Sequence, residues 1–235
     1  MLPLRQYPTS LIRVSLFKRL LYPLLLILSL AVSAESLFVG DKPVPAPVSL
    51  VEKQTEILLT ELSNRKVEFT EDPAQLVKFA QSVALRHWDL PRTSRLILGP
   101  HWRAASKEER QAFTDEFLRT LLRYVVRAYG YYDDDLLKVV QYDWQAVNKG
   151  GWVLSKVQIP GGVKVDVDYR MSFNPRNDTW NLIDVRVEGI SLVKVKSNEF
   201  RQVVSRKGMQ NLIQSMAEKN NEVLRDIIIE ESVTD

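Results

Sequence analysis

The chain has 235 residues, no cysteine, two histidines, and 32 Lys+Arg against 29 Asp+Glu. The missing cysteine excludes disulfides, thiol catalysis, thiolate zinc sites and iron–sulfur clusters, and two histidines leave imidazole chemistry thin. Four of the cations and none of the acids fall in the first 34 residues, so the remainder carries 28 against 29, a net charge of −1, which excludes a generally basic nucleic-acid-binding surface.

Those first residues read as an export signal. Arg5, Arg13, Lys18 and Arg19 form a basic leader, Leu20 to Leu30 an apolar run, and Val32-Ser33-Ala34 the small-residue pattern cut by a signal peptidase. The mature chain is expected to begin at Glu35. The apolar run holds Pro23 and is shorter than the roughly 20 residues of a membrane span. No cysteine follows it, so a lipid anchor is excluded and a free protein outside the cytoplasm is expected.

Asp41 to Val48 contains Pro43, Pro45 and Pro47 and reads as a stiff linker, giving a division into signal peptide 1–34, Pro-rich linker 35–48, folded domain 49–220 and charged tail 221–235. Ser49 and Glu52 have capping-box spacing and open an amphipathic helix to about Arg65, with Leu50, Val51, Ile57, Leu58 and Leu62 on its apolar face. Asp72-Pro73 starts a second helix that buries Leu76, Val77, Ala80 and Val83. A short helix from about Pro91 to Leu98 ends at Gly99-Pro100. Ser106 and Glu109 repeat the capping box and open the longest helix, which Gly130 should stop; Phe113, Phe117, Leu121 and Val125 share one face of it.

From Leu136 the period becomes alternating. Strands are expected near Leu136 to Trp144, Trp152 to Ile159, Val163 to Phe173 and Thr179 to Val187, joined by turns at Asn148-Lys149-Gly150-Gly151, Pro160-Gly161-Gly162 and Asn174 to Asp178. In the third strand Val163, Val165, Val167, Tyr169, Met171 and Phe173 point one way, and Lys164, Asp166, Asp168, Arg170 and Ser172 the other. Helix is expected to return at about Asn198 to Arg206, break at Gly208 and resume through Leu212, Ile213 and Met216. From Glu218 the sequence reads as a loosely held tail. The order of elements predicts an α+β fold: a curved antiparallel β-sheet meander covered on one face by N-terminal and C-terminal helices.

Catalytic constellations fail on residue type or spacing. There is no H-E-x-x-H and no P-loop. Gly189-Ile190-Ser191-Leu192-Val193 lacks the final glycine of a nucleophile elbow, and Asp133-Asp134-Asp135 lacks the ligand spacing of a calcium loop. Asp166 and Asp168 fit cross-strand charge pairing better than acid–base work. No catalytic residue, metal site or cofactor is expected.

Two blocks carry a family likeness. The run Thr93 to Arg103, followed by Ala105-Ser106, Arg110, Phe113 and Phe117, resembles the L-G-x-x-W/Y-R/K-x-A-T/S-x-x-Q/E-R-x-x-F-x-x-x-F pattern of the MlaC family, the toluene-tolerance proteins. Trp180 to Leu192, followed by Asn198-Glu199-Phe200 and Arg206-Lys207-Gly208, resembles that family's W-x-x-x-D-V-x-x-E-G-V-S-L strand and next helix. The resemblance spans roughly Ser49 to Asn220. It implies a periplasmic carrier of a Gram-negative envelope that shuttles glycerophospholipid between an outer-membrane lipoprotein–porin complex and an inner-membrane ABC transporter, keeping the outer leaflet free of phospholipid.

On that reading the fold is NTF2-like and cone-like, with an apolar cavity between the dry face of the sheet and the helices that holds the acyl chains. The candidate wall is Phe79, Val83, Leu98, Phe113, Phe117, Leu121, Val167, Tyr169, Met171, Ile183, Val185 and Val187; Arg103 and Tyr169 are candidates for the rim where the headgroup stays wet. Periodicity alone does not separate a lined pocket from a filled core. Two other readings remain open: an exported interaction or chaperone module with a solid core, and an isomerase-type enzyme on the same cone, for which Asp184 is the one candidate acid. No heptad seam is present, and a monomer is expected.

Overall fold

The computed structural model describes residues 45–129, 138–158 and 162–229. The leader, most of the linker, Gly130, Asp133-Asp134-Asp135, Leu136, Ile159, Pro160-Gly161 and residues 230–235 lie outside the described residues. Within them the fold is α+β: eight α-helices and a five-stranded antiparallel sheet in the order β1-β2-β3-β4-β5.

Helix α1 spans Ala46–Asn64. It begins ahead of the Ser49–Glu52 pair because Pro47 sits in its first turn, where a missing N–H costs nothing, and Pro45 O accepts from the N–H groups of Val48 and Ser49. The capping box at Ser49 is therefore not used, and two linker prolines border or enter the helix. Its buried stripe is Val48, Val51, Thr55, Leu58, Leu59 and Leu62. A short helix, α2 (Lys66–Glu71), follows; periodicity gave no sign of it. It is pinned by Phe69, 1% exposed, and by the Arg65 guanidinium, which donates to Glu68 and lies 4.6 Å from the centre of the Phe69 ring. Helix α3 (Pro73–Phe79) starts as expected, with Asp72 accepting from Ala74 N at 3.0 Å, and widens into a π-turn at Ala80–Ala84.

Helix α4 (Leu90–Leu98) is capped by Asp89, whose carboxylate accepts from Arg92 N. It ends at Gly99, where φ is +57° and a Cβ would come within 2.5 Å of the Arg201 guanidinium. That guanidinium donates to the last-turn carbonyls of Leu96 and Ile97, both at 2.9 Å, so close approach and backbone conformation both require glycine there. After the short α5 (Pro100–Ala104), Ser106 and Glu109 form the reciprocal capping box and open α6 (Lys107–Tyr129).

The strands are β1 (Lys138–Val147), β2 (Gly150–Gln158), β3 (Lys164–Asn174), β4 (Thr179–Val187) and a two-residue β5 (Ile190–Ser191). Register shifts between Val139 and Gln141 and between Arg170 and Met171 are bulges, which bend and twist a sheet. Val163 precedes β3 and is 57% exposed, so it does not join the apolar face. The opposite face is less wet than alternation predicts. Asp168 is 6% exposed because Arg186 Nε reaches it at 2.5 Å while the same guanidinium lies 4.2 Å from the centre of the Trp152 ring. Asp166 pairs with Lys156 at 2.6 Å. Both carboxylates are thus cross-strand charge partners.

Helix α7 (Leu192–Lys207) starts earlier than Asn198 because its cap is built from two strands. Ser191 Oγ accepts from Lys194 N and donates to Asp184, whose other oxygen accepts from Val193 N. After Gly208, at φ +84°, α8 runs from Met209 to Ile229. The reading of residues from Glu218 as a loose tail is corrected for those up to Ile229: Met216, Asn220 and Leu224 continue the buried stripe. Asn220 donates to Glu116 O at 2.9 Å and accepts from Arg123 Nε at 3.1 Å, which gives an apparently polar segment a packed face on α6. No helix of the described residues is long and apolar enough to cross a membrane.

Candidate functional site

Helix α1 lies across the sheet, and between them an apolar cleft of about 60 Å³ is lined by Leu50, Val51, Gln54, Thr55 and Leu58 of α1, by Val83 and His87, and by Tyr169, Met171 and Leu182 of the sheet. Each lining residue has a local cause. Val51, Thr55 and Leu58 come from the buried stripe of α1 and Leu50 and Gln54 from its half-buried flank, Tyr169 and Met171 are alternate positions of β3, and Leu182 pairs with Met171. Val83 projects from the π-turn, a local widening of the kind that often marks functional positions. His87 is held by its backbone: its carbonyl accepts from Leu182 N at 2.7 Å, and Trp88 bridges to Leu182 in parallel.

Of the sequence-predicted wall, the structure brings Val83, Tyr169 and Met171 to the cleft. Phe79, Leu98, Phe113, Phe117, Leu121, Val167, Ile183 and Val185 are buried away from it, and Val187 is half-buried opposite Val167. Phe113 stacks on Phe117, with ring centres 6.3 Å apart, and meets the edge of Phe200 on α7 at 5.8 Å, so these rings close a helix–helix layer. Arg103 is exposed on α5, where its carbonyl accepts from Arg110; it does not line the cleft. Tyr169, placed at the rim by sequence, is 5% exposed. Leu50, Val51, Gln54, Thr55, Leu58, His87 and Leu182 are lining residues that the wall assignment missed. The signal for Leu50, Val51 and Leu58 was the apolar face of α1.

The polar groups of the cleft are few. Burial pushes the phenol of Tyr169 above the ordinary tyrosine range, and burial does the same to Tyr142 on the neighbouring face of β1. Burial, aided by Arg86, lowers His87 and favours the neutral imidazole. Asp184 is also raised by burial, but its carboxylate caps α7 through Ser191 and Val193 and is absent from the cleft lining. An isomerase-type reaction needs its carboxylate inside the pocket; here the lining supplies hydroxyls, one amide and one imidazole among aliphatic walls.

Comparison with known proteins gives two findings. The family model described as MlaC protein matches residues 52–218. A solved structure, a phospholipid-binding protein from Ralstonia solanacearum in complex with a phospholipid, is 26% identical to this chain, with the match covering 64% of this chain and 83% of that one at a TM-score of 0.56.

Proposed function

Since the chain belongs to the MlaC family, we propose that it is a phospholipid-binding transport protein of the periplasm, which shields the acyl chains of a glycerophospholipid while they cross water. The observation that carries this reading is the apolar cleft under α1, in a chain whose similar structure from Ralstonia solanacearum is a phospholipid-binding protein.

The physical task sets the design. Two acyl chains of about 15 methylenes each, at about 0.8 kcal/mol per methylene, face a barrier of about 25 kcal/mol on entering water. A carrier removes that barrier by offering a surface about as apolar as the bilayer, so net transfer is near zero and reversible. Pockets for drug-sized ligands already occupy roughly 300–1,000 Å³, several times the cleft under α1, and a diacyl lipid is larger than such ligands. Chains therefore enter by lifting α1 from the sheet, and the residues of its stripe become one wall of the opened cavity. The headgroup stays at the mouth, because an unpaired phosphodiester is costly to bury.

Direction comes from partners that prefer the loaded or the empty form. The partners we propose are an outer-membrane lipoprotein–porin complex and an inner-membrane ABC transporter, with maintenance of outer-membrane lipid asymmetry as the outcome; the family resemblance of the two sequence blocks supports them. The export signal supports a periplasmic location. Organic extraction of natively purified mature protein followed by mass spectrometry tests the reading: about one glycerophospholipid per chain is expected, and protein that carries no lipid and takes none from vesicles would refute it.

A further inference from the structure

Beneath α1, Thr55 and Tyr169 line the apolar cleft and Tyr142 lies next to them, just behind its lining. Tyr142 of β1 faces Ser155 of β2, and two residues along those strands Trp144 faces Val153, which in turn faces Tyr169 of β3. Alternation places both phenols on the side of the sheet that α1 covers. Thr55, on the buried stripe of α1, is the polar neighbour of both. The Tyr142 hydroxyl oxygen is buried and has no well-formed hydrogen bond; Thr55 is near enough to act on it electrostatically but does not satisfy it. A buried hydroxyl left unmade is costly and rarely tolerated without a use. A sheet needing only apolar filling there would carry phenylalanine.

The chemistry of the missing partner follows from its surroundings. The hydroxyl is a donor in search of an acceptor, and Thr55 and Tyr169 add two more hydroxyls beside it. Leu50, Leu58, Met171 and Leu182 bound the space next to them and accept only hydrocarbon. A group that fits is an oxygen that accepts a hydrogen bond from the phenol and is fixed to the end of an aliphatic chain. An acyl carbonyl has this form, and in a glycerophospholipid each chain begins with one.

We propose that Tyr142, Tyr169 and Thr55 form a subsite for an acyl ester carbonyl of the bound lipid, so that the protein prefers ester-linked to ether-linked chains. This rests on the phospholipid-carrier reading and adds to it a determinant of which lipids are held. The hydroxyls register the glycerol end of the chains at the α1–sheet seam, leaving the phosphate outward and the methylenes inward. The Tyr142 hydroxyl meets its partner only when α1 has moved enough to admit the chain.

The test compares diester and diether phosphatidylglycerol of identical chains and headgroup, with palmitate as a third ligand, on full-length mature wild type, Tyr142→Phe and Tyr169→Phe. Wild type should hold the diester about fivefold more tightly than the diether, the ratio one neutral hydrogen bond gives. Tyr142→Phe should bring the diester down to the level of the diether, leave the diether unchanged, and keep or raise Tm, since it removes an unbonded hydroxyl. Equal affinities for the two lipids in wild type, or a preference that survives in both variants, would overturn the subsite while leaving the carrier reading intact. Palmitate binding that exceeds the diester and depends on Tyr142 would assign the hydroxyls to a free carboxylate and overturn the ester assignment. Absence of binding by either phospholipid would overturn the carrier reading as well.

Discussion

Burial, with Arg86 adding to it, holds the His87 imidazole neutral against the wall of the cleft. Its folded pKa therefore lies below the ordinary value of 6.5, so as pH falls through 6.5 the unfolded chain takes up a proton that the folded chain refuses. The stability that rests on a neutral His87 is complete above that value and declines below it, until the folded pKa is reached. Denaturant unfolding should therefore show a loss of stability between pH 7.5 and pH 5.5 that His87→Gln reduces. An unchanged pH dependence in the variant would remove His87 as its source. The same logic applies to access: a protonated imidazole favours water beside it, so acid biases the cleft toward opening.

Helix α8 shows how an element can be concealed in its own charges. Glu218, Lys219, Glu222 and Arg225 dominate its second half, while the buried positions between them are filled by Asn220 and Leu224, each 0% exposed. Leu224→Ala should cost about 2–5 kcal/mol, the usual range for a buried leucine, measured by urea unfolding; a loosely held segment would lose nothing. A hydropathy pattern could not reveal this face, because Asn220 owes its burial to Glu116, Thr120 and Arg123 on α6, about a hundred residues away in sequence. The same limit explains the start of α7, whose cap uses Asp184 of β4, and the Arg201 approach that makes Gly99 necessary. Elements whose signals are local were legible: the Asp72-Pro73 start, the Ser106–Glu109 box, and β4 over Thr179–Val187. The wall of the cleft was legible only in part. Alternation on β3 found Tyr169 and Met171, but the choice of α6 for the opposing wall did not anticipate that Phe113 packs on Phe200 of α7, with Phe117 stacked behind it, while α1 lines the cleft against the sheet.

At the scale of the molecule, the structure combines a packed layer of α4, α6, α7 and α8, in which α4 and α7 also meet β4, with helix α1, which reaches β1, β2 and β4 and covers the cleft. The two regions should respond differently to a change in volume. In the packed layer an added ring has no room, and overpacking costs about 1–3 kcal/mol. At Val83 the cleft already offers space and α1 can yield, so Val83→Trp should leave Tm within a few degrees of wild type while filling the place where chains enter. The outcome that separates a carrier from a solid domain is the amount of lipid retained. Val83→Trp should purify with much less phospholipid than wild type and extract less from vesicles, whereas Val187→Ile, on the sheet but outside the cleft lining, should retain the wild-type amount. Equal lipid content in Val83→Trp and wild type would mean that acyl chains occupy some other space, and the seam between α1 and the sheet would lose its role as the door.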